Sequence, residues 1–186
     1  PDLQVRVDEA DENEPLIASL IAGDLDVAFL AGPVQEPDIE VIPLGADPFV
    51  AVLANDEYSA ELTSYDPMLL NGIGVIGENG GGAQLLIENG LRALGVSVQY
   101  VFRTNDNGAM QAMARNGLAP AIMPLLAVDA HDPNVRVLPL NPPIPPRQIL
   151  IALPRPALRT AAATRFAQIA VEVGQSRLNA GGAIPV

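Results

Sequence analysis

Apolar and polar residues alternate over Leu3-Gln4-Val5-Arg6-Val7, which predicts a strand exposed on one face. Leu16, Ile17, Leu20 and Ile21 share one helical stripe, with Asn13 as N-cap, Pro15 in the first turn and Gly23 as the stop. The apolar run Asp26-Val27-Ala28-Phe29-Leu30 has strand length and ends at Gly32-Pro33, and Ile39 to Pro43 predicts a further strand. Strand, helix and strand in about 30 residues predict a parallel βαβ unit.

Phe49-Val50-Ala51-Val52-Leu53 is a further buried strand, and Ser59 to Pro67 is polar and turn-rich. The pattern then restarts. Ile73 to Ile76 is a short strand, Gly80-Gly81-Gly82 a loop, and Ala83 to Leu94 a helix stopped by Gly95. Val98 to Arg103 alternates again. Asn105 or Asp106 caps a helix carrying Met110 and Met113 and closed by Gly117, and Ala119 to Met123 is a strand ended by Pro124. This makes a second α/β unit of similar size. Val135-Arg136-Val137-Leu138 leads into Pro142-Pro143-Ile144-Pro145-Pro146, a stiff connector that can be neither helix nor central strand. Gln148 to Leu153 is a last strand, and Thr160 caps a final helix with Phe166, Ile169, Ala170 and Val173 on one face; the tail from Asn179 to Val186 is expected to fray.

Composition narrows the chemistry. The 186 residues contain no Cys and one His, and all ten cations are Arg. That removes thiolate nucleophiles, disulfides, cysteine zinc sites, a P-loop lysine and Schiff bases, and a single His builds no multi-histidine metal site. His131 sits in Ala130-His131-Asp132-Pro133-Asn134, a turn sequence. No apolar run approaches the roughly 20 residues that span a bilayer. The absence of Cys fits a reducing compartment, so a cytoplasmic location is expected. Sixteen of the 22 acids and one Arg precede Pro67, giving that portion −15 against +3 for the remainder. Such an acidic surface repels phosphate backbones; it is either a solvated face or one that meets an Arg-bearing surface on a partner chain.

Three motifs bear on function. Gly72-Ile73-Gly74-Val75-Ile76-Gly77 matches the spacing of the dinucleotide-binding glycines but lies within a strand, lacks a following helix, and has no acid at the end of the next strand. Gly80, Gly81 and Gly82, with Asn79, directly precede a helix; this is either a flexible entry loop or a place where backbone N–H groups receive a carboxylate, phosphate or sulfate. Thr104-Asn105-Asp106 holds the equivalent point after the next strand, where its side chains either cap the helix or face a ligand. No Gly-x-Ser-x-Gly elbow or acid–base pairing is evident, so an enzyme is not expected, nor is a cofactor or a metal.

Gly23-Asp24-Leu25-Asp26-Val27-Ala28 resembles a signature of the effector-binding domain of LysR-type transcriptional regulators. Ile42-Pro43-Leu44 with Pro48 to Leu53, Arg103 to Asp106, Met110 to Met113, Asn116 to Pro124, Val137 to Leu140 and Arg147 to Ala152 resemble other segments of that domain in the same order, over about residues 1 to 175. The resemblance implies an α/β fold of the type 2 periplasmic-binding-protein kind: two Rossmann-like lobes joined by two crossover strands, with a small effector in the cleft. Lobe I would be residues 1–48 plus 149–186, and lobe II residues 49–148. The family's domain begins with one more strand and helix, so the first lobe is expected to lack them. Ala119 and Pro120 depart from the family's usual glycine and apolar residue. The effector would meet Gly32 on lobe I and Asn79, Gly80, Gly81, Gly82, Thr104, Asn105 and Pro124 on lobe II. An organic or inorganic anion suits the helix N-termini, and Arg103 is the one cation beside them. The implied partners are that small molecule and a second copy, with DNA contacted only through a helix-turn-helix outside these residues. The alternative is a solute-binding protein of an ABC-type transporter, which shares the fold.

Overall fold

In the computed structural model, residues 4–10 and 12–178 are described. In chain order the elements are α1 (Asn13–Ala22), β1 (Ala28–Ala31), β2 (Ile39–Asp47), β3 (Phe49–Ala54), α2 (Glu57–Ala60), β4 (Gly74–Gly77) and α3 (Gly82–Ala93). They continue with β5 (Gln99–Arg103), α4 (Asn107–Arg115), β6 (Ala121–Pro124), β7 (Val135–Pro139), β8 (Arg147–Pro154) and α5 (Ala161–Leu178). The chain divides into two compact units, residues 4–46 with 148–178, and residues 47–147.

The first unit holds a three-stranded sheet in the order β1-β8-β2. β1 runs antiparallel to β8, with Phe29 opposite Ile151. The expected strand over Leu3 to Val7 is not formed: residues 4–7 belong to no strand, Val5 and Val7 are exposed, and Leu3 lies outside the described residues. A half-exposed strand exists only through ladder bonds from a neighbour and burial of one face, and among the described residues β1 has only β8 beside it. The expected parallel βαβ unit is therefore replaced by antiparallel pairing with a strand remote in sequence.

Asn13 also departs from expectation. Glu12 occupies the N-cap, while the Asn13 amide donates to the Ala31 carbonyl at 2.8 Å and its Oδ1 accepts the Ala31 N–H at 3.2 Å. This side chain docks α1 onto the end of β1. Gly23 closes α1 at φ 83, a left-handed conformation that favours glycine.

Helix α5 starts as expected, with Thr160 Oγ1 accepting the Ala163 N–H at 3.0 Å. Of the apolar stripe read from the sequence, Ala170 packs against the sheet. Ala163 and Ala167 are buried beside Leu44, Ile151 and Leu153, whereas Phe166, Ile169 and Val173 remain exposed. A Cβ on Gly174 would lie 3.0 Å from Leu44 Cβ, so the small residues are what let the helix approach the sheet. Phe166 meets Phe29 edge to face, with ring centroids 6.2 Å apart. The expected fraying from Asn179 to Val186 falls outside the described residues.

The second unit is a five-stranded sheet in the order β5-β4-β6-β3-β7. β4 is parallel to both β5 and β6, while β3 is antiparallel to β6 and β7. Strand β3 is buried on both faces, which explains its unbroken apolar sequence. Phe49 and Ala51 join Val75, Ile122, Leu138 and the Ile87 and Leu91 side chains of α3. Val50 and Val52 turn the other way, to Ile76, Ala121, Met123 and the Met110 and Ala114 side chains of α4. Helices α3 and α4 thus cover opposite faces of one sheet, and burying each large aliphatic side chain contributes about 1.5–3 kcal/mol. In the proline connector only Ile144 is buried; it packs under Gly90, where an added Cβ would lie 2.7 Å from Ile144 Cβ.

Candidate functional site

Because β4 runs parallel to β5 on one side and to β6 on the other, the carboxyl ends of all three emerge along one edge of the sheet. In α/β sheets this edge is where ligands bind, because the loops there lead into helix N-termini. Glu78 to Gly81 leaves β4, Thr104 to Asp106 leaves β5, and Pro124 ends β6.

Several backbone contacts shape the first two loops. The Thr104 N–H donates to the Gly77 carbonyl at 3.1 Å, and the Asn79 N–H donates to Asn105 Oδ1 at 3.1 Å. Sequence reading left the cap of α4 open between Asn105 and Asp106. Asp106 takes it, its Oδ1 accepting the Ala109 N–H at 2.9 Å, while the Asn105 amide serves the neighbouring loop. Thr104 Oγ1 accepts the Asp106 N–H at 3.2 Å, and its hydroxyl proton leaves it a further donor. The two helices differ at their starts. α4 has its own carboxylate cap, whereas α3 opens at Gly81, φ 97, with no side-chain cap. The N–H groups of that first turn are aligned for an acceptor from elsewhere.

Behind the loops lies a side-chain network that sequence reading did not find. Gln84 occupies the same stripe of α3 as Ile87 and Leu91 and is buried with them. Its Oε1 accepts the Glu78 N–H at 2.8 Å. Its Nε2 donates to Glu88 Oε1 at 2.9 Å and to the Tyr100 hydroxyl at 2.6 Å. The available signal was a glutamine at an otherwise apolar helix position, which a buried fold must satisfy with partners. Gly77 has no Cβ because one there would lie 2.5 Å from the Tyr100 ring and 2.8 Å from Gln84 Oε1.

Arg103 joins through an irregularity of β5. Val75 opposes Tyr100 but Ile76 opposes Phe102, so one extra residue is inserted at Val101. Tyr100 therefore packs with the α3 face, and Phe102 with the α4 face despite equal parity. The bulge also returns Arg103 to the side of Tyr100, its guanidinium lying 3.8 Å over the ring. Arg103 donates to the Glu78 carbonyl at 2.8 Å and to Glu88 Oε1 at 3.1 Å. The one cation near the loops is thus already paired, in a half-exposed geometry of modest strength. Burial pushes the Glu88 carboxyl up, but hydrogen bonds from Gln84, Arg103 and Tyr100 outweigh it and hold it below the ordinary carboxylate value. Burial, with Glu88 beside it, pushes the Tyr100 phenol up to about 12.

Of the eight sequence-derived positions, Asn79, Gly80, Gly81, Gly82, Thr104, Asn105 and Pro124 lie along this one edge of the second unit. Gly32 belongs to the first unit, just past β1, where φ is 85 and its N–H donates to the Gln148 carbonyl at 2.8 Å. His131 is an exposed turn residue whose N–H donates to Asp129 Oδ1 at 3.0 Å. Among the described residues no three His, Cys, Asp or Glu side chains are grouped to hold a metal ion, and no helix is long and apolar enough to cross a membrane.

Comparison with known proteins bears on this geometry. The family model described as LysR substrate binding domain matches residues 1–175. The structure resembles the effector-binding domain of QuiR in complex with shikimate, at TM-score 0.74 and 22% identity, over 90% of this chain and 80% of that one. It also resembles the regulatory domain of CcmR from Synechocystis PCC6803 in complex with 2-PG, at TM-score 0.72 and 18% identity, over 88% and 80% of the two chains. A third similar structure is HinK, a LysR family transcriptional regulator from Pseudomonas aeruginosa, at TM-score 0.78 and 19% identity, over 89% of this chain. The chain spans only 57% and 58% of two longer Pseudomonas aeruginosa proteins it matches. Comparison with curated protein sequences gives no match. The two α/β units are of the type 2 periplasmic-binding-protein kind that this family uses.

Proposed function

Because this chain belongs to the LysR substrate binding domain family, we propose that it is the effector-sensing part of a cytoplasmic transcriptional regulator. DNA would be contacted by a domain outside these residues, and the chain would act as a homodimer or a higher assembly. The observation that carries the reading is the shared edge of three parallel strands, where the uncapped start of α3 and the Thr104 loop stand side by side, tied by the Asn79–Asn105 hydrogen bond. On this reading a small molecule accepts hydrogen bonds from the Gly80 to Gly82 backbone, takes one from Thr104, and rests against Pro124.

The same edge favours an acceptor-rich ligand over a strongly charged one, since Arg103 is already engaged by Glu88 and Tyr100. QuiR, solved with shikimate, supports an acceptor-rich small molecule. An effector shifts a regulator only by its difference in affinity between two states, so a hundredfold preference supplies about 2.7 kcal/mol. The test is a thermal-shift screen of small carboxylates and phosphate, followed by calorimetry on Thr104→Ala. About tenfold weaker binding of the hit is expected from loss of one hydrogen bond; unchanged affinity removes Thr104 from the site.

A further inference from the structure

The chain enters the second unit at Asp47 and leaves it at Arg147. Asp47 is the last residue of β2, and Arg147 the first of β8. These two residues, a hundred positions apart in sequence, form an ion pair. Asp47 is wholly buried, at 0% exposure. Its Oδ2 accepts from Arg147 Nε at 2.8 Å and stands 2.8 Å from the NH2 group of the same guanidinium. Its other oxygen, Oδ1, accepts the Leu126 N–H at 3.0 Å. The next carbonyl, Pro48, accepts the Leu125 N–H at 2.9 Å, and Phe49 stands opposite Pro124 in the sheet. Both amides following Pro124 are therefore held by the point where the chain enters.

Stability alone is a poor reason for such a pair. Removing two charges from water costs as much as their attraction returns, and well-packed apolar residues of similar volume often do as well or better. What a buried pair supplies is geometry, since each oxygen has one directed partner. Resting on the reading that Pro124 lines the effector site, we propose that Asp47 is a positioning residue for that site. It binds the segment after Pro124 and both chain crossings into one hydrogen-bonded unit, which fixes where this wall stands at the end of β6. Each link is a direct hydrogen bond.

Amide hydrogen exchange on the full chain without ligand tests the proposal independently of the effector reading. Asp47→Ala should speed exchange at Leu126 and at Gln148 to Leu150 by about tenfold, leaving β4 and β5 unchanged. Asp47→Asn keeps the Oδ1 acceptor but lacks the charge, so Leu126 should stay protected while Gln148 to Leu150 does not. A purely structural role would move both sites together. If Asp47→Ala fails to fold, Asp47→Leu with Arg147→Met leaves no buried charge unpaired and should lose Leu126 protection with a nearly unchanged melting temperature. Wild-type protection of Leu126 in the Ala or the double variant, or identical patterns in the Ala and Asn variants, overturns the proposal.

Discussion

At Gly77 a hydrogen atom stands where any side chain would collide with two members of the network behind the loops. Gly77→Ala must displace the Tyr100 ring or break the Gln84 bond to Glu78, and should cost about 1–3 kcal/mol in urea denaturation. Tyr100 gives the same network a pH signature. Its phenol is raised from 10.0 to about 12, so the fold favours the neutral form. The associated stability is complete below pH 10 and is lost as pH rises through 12. The denaturation midpoint should fall over that interval, and Tyr100→Phe should flatten the fall in part, because Tyr65 is raised in the same way. A Phe variant with the wild-type slope would sever Tyr100 from it. At this scale the sequence was informative where a residue type has one use, as at Thr160 and Gly23. Asn13, Gln84 and Asp47 were not legible, because each acts on a partner 6 to 100 positions away that only the fold brings close.

Elements were legible in proportion to how much of their reason is local. α3, α4 and β3 carry caps, stripes or unbroken apolar runs that need no knowledge of neighbours. The bulge in β5 left no trace in the alternation of Val98 to Arg103, since it is a property of the register with β4. In α5 the apolar stripe does not say which side packs: Ala163, Ala167 and Ala170 meet the sheet, while the larger Phe166, Ile169 and Val173 stay exposed. Ala167→Leu should therefore cost about 1–3 kcal/mol by overpacking against the sheet, whereas Ile169→Gln should stay within about 0.5 kcal/mol, as exposed positions do. The reverse order in urea titrations would contradict the burial.

For the molecule as a whole, the restart of the strand–helix pattern after Pro67 marked a second unit, and the ordered family motifs identified the fold that the comparisons show. That residues 4–7 form no strand was not legible, because alternation at Leu3 to Val7 encodes a strand without naming its neighbour. The second unit is one continuous stretch of chain with apolar clusters on both faces of its sheet. Residues 47–147 should accordingly fold alone, with cooperative thermal unfolding and dispersed amide resonances; a random-coil spectrum would refute that autonomy.

The proline connector gives this unit a less obvious property. Ile144 sits beneath Gly90, eight residues along α3 from Gly82 and so about two turns from the glycine loop. The helix that presents those backbone amides rests on a wedge held between prolines. Reshaping the wedge would tilt the helix and slide its mouth without altering any residue of the proposed site. On that reading, ligand preference can drift through changes on the far side of the unit.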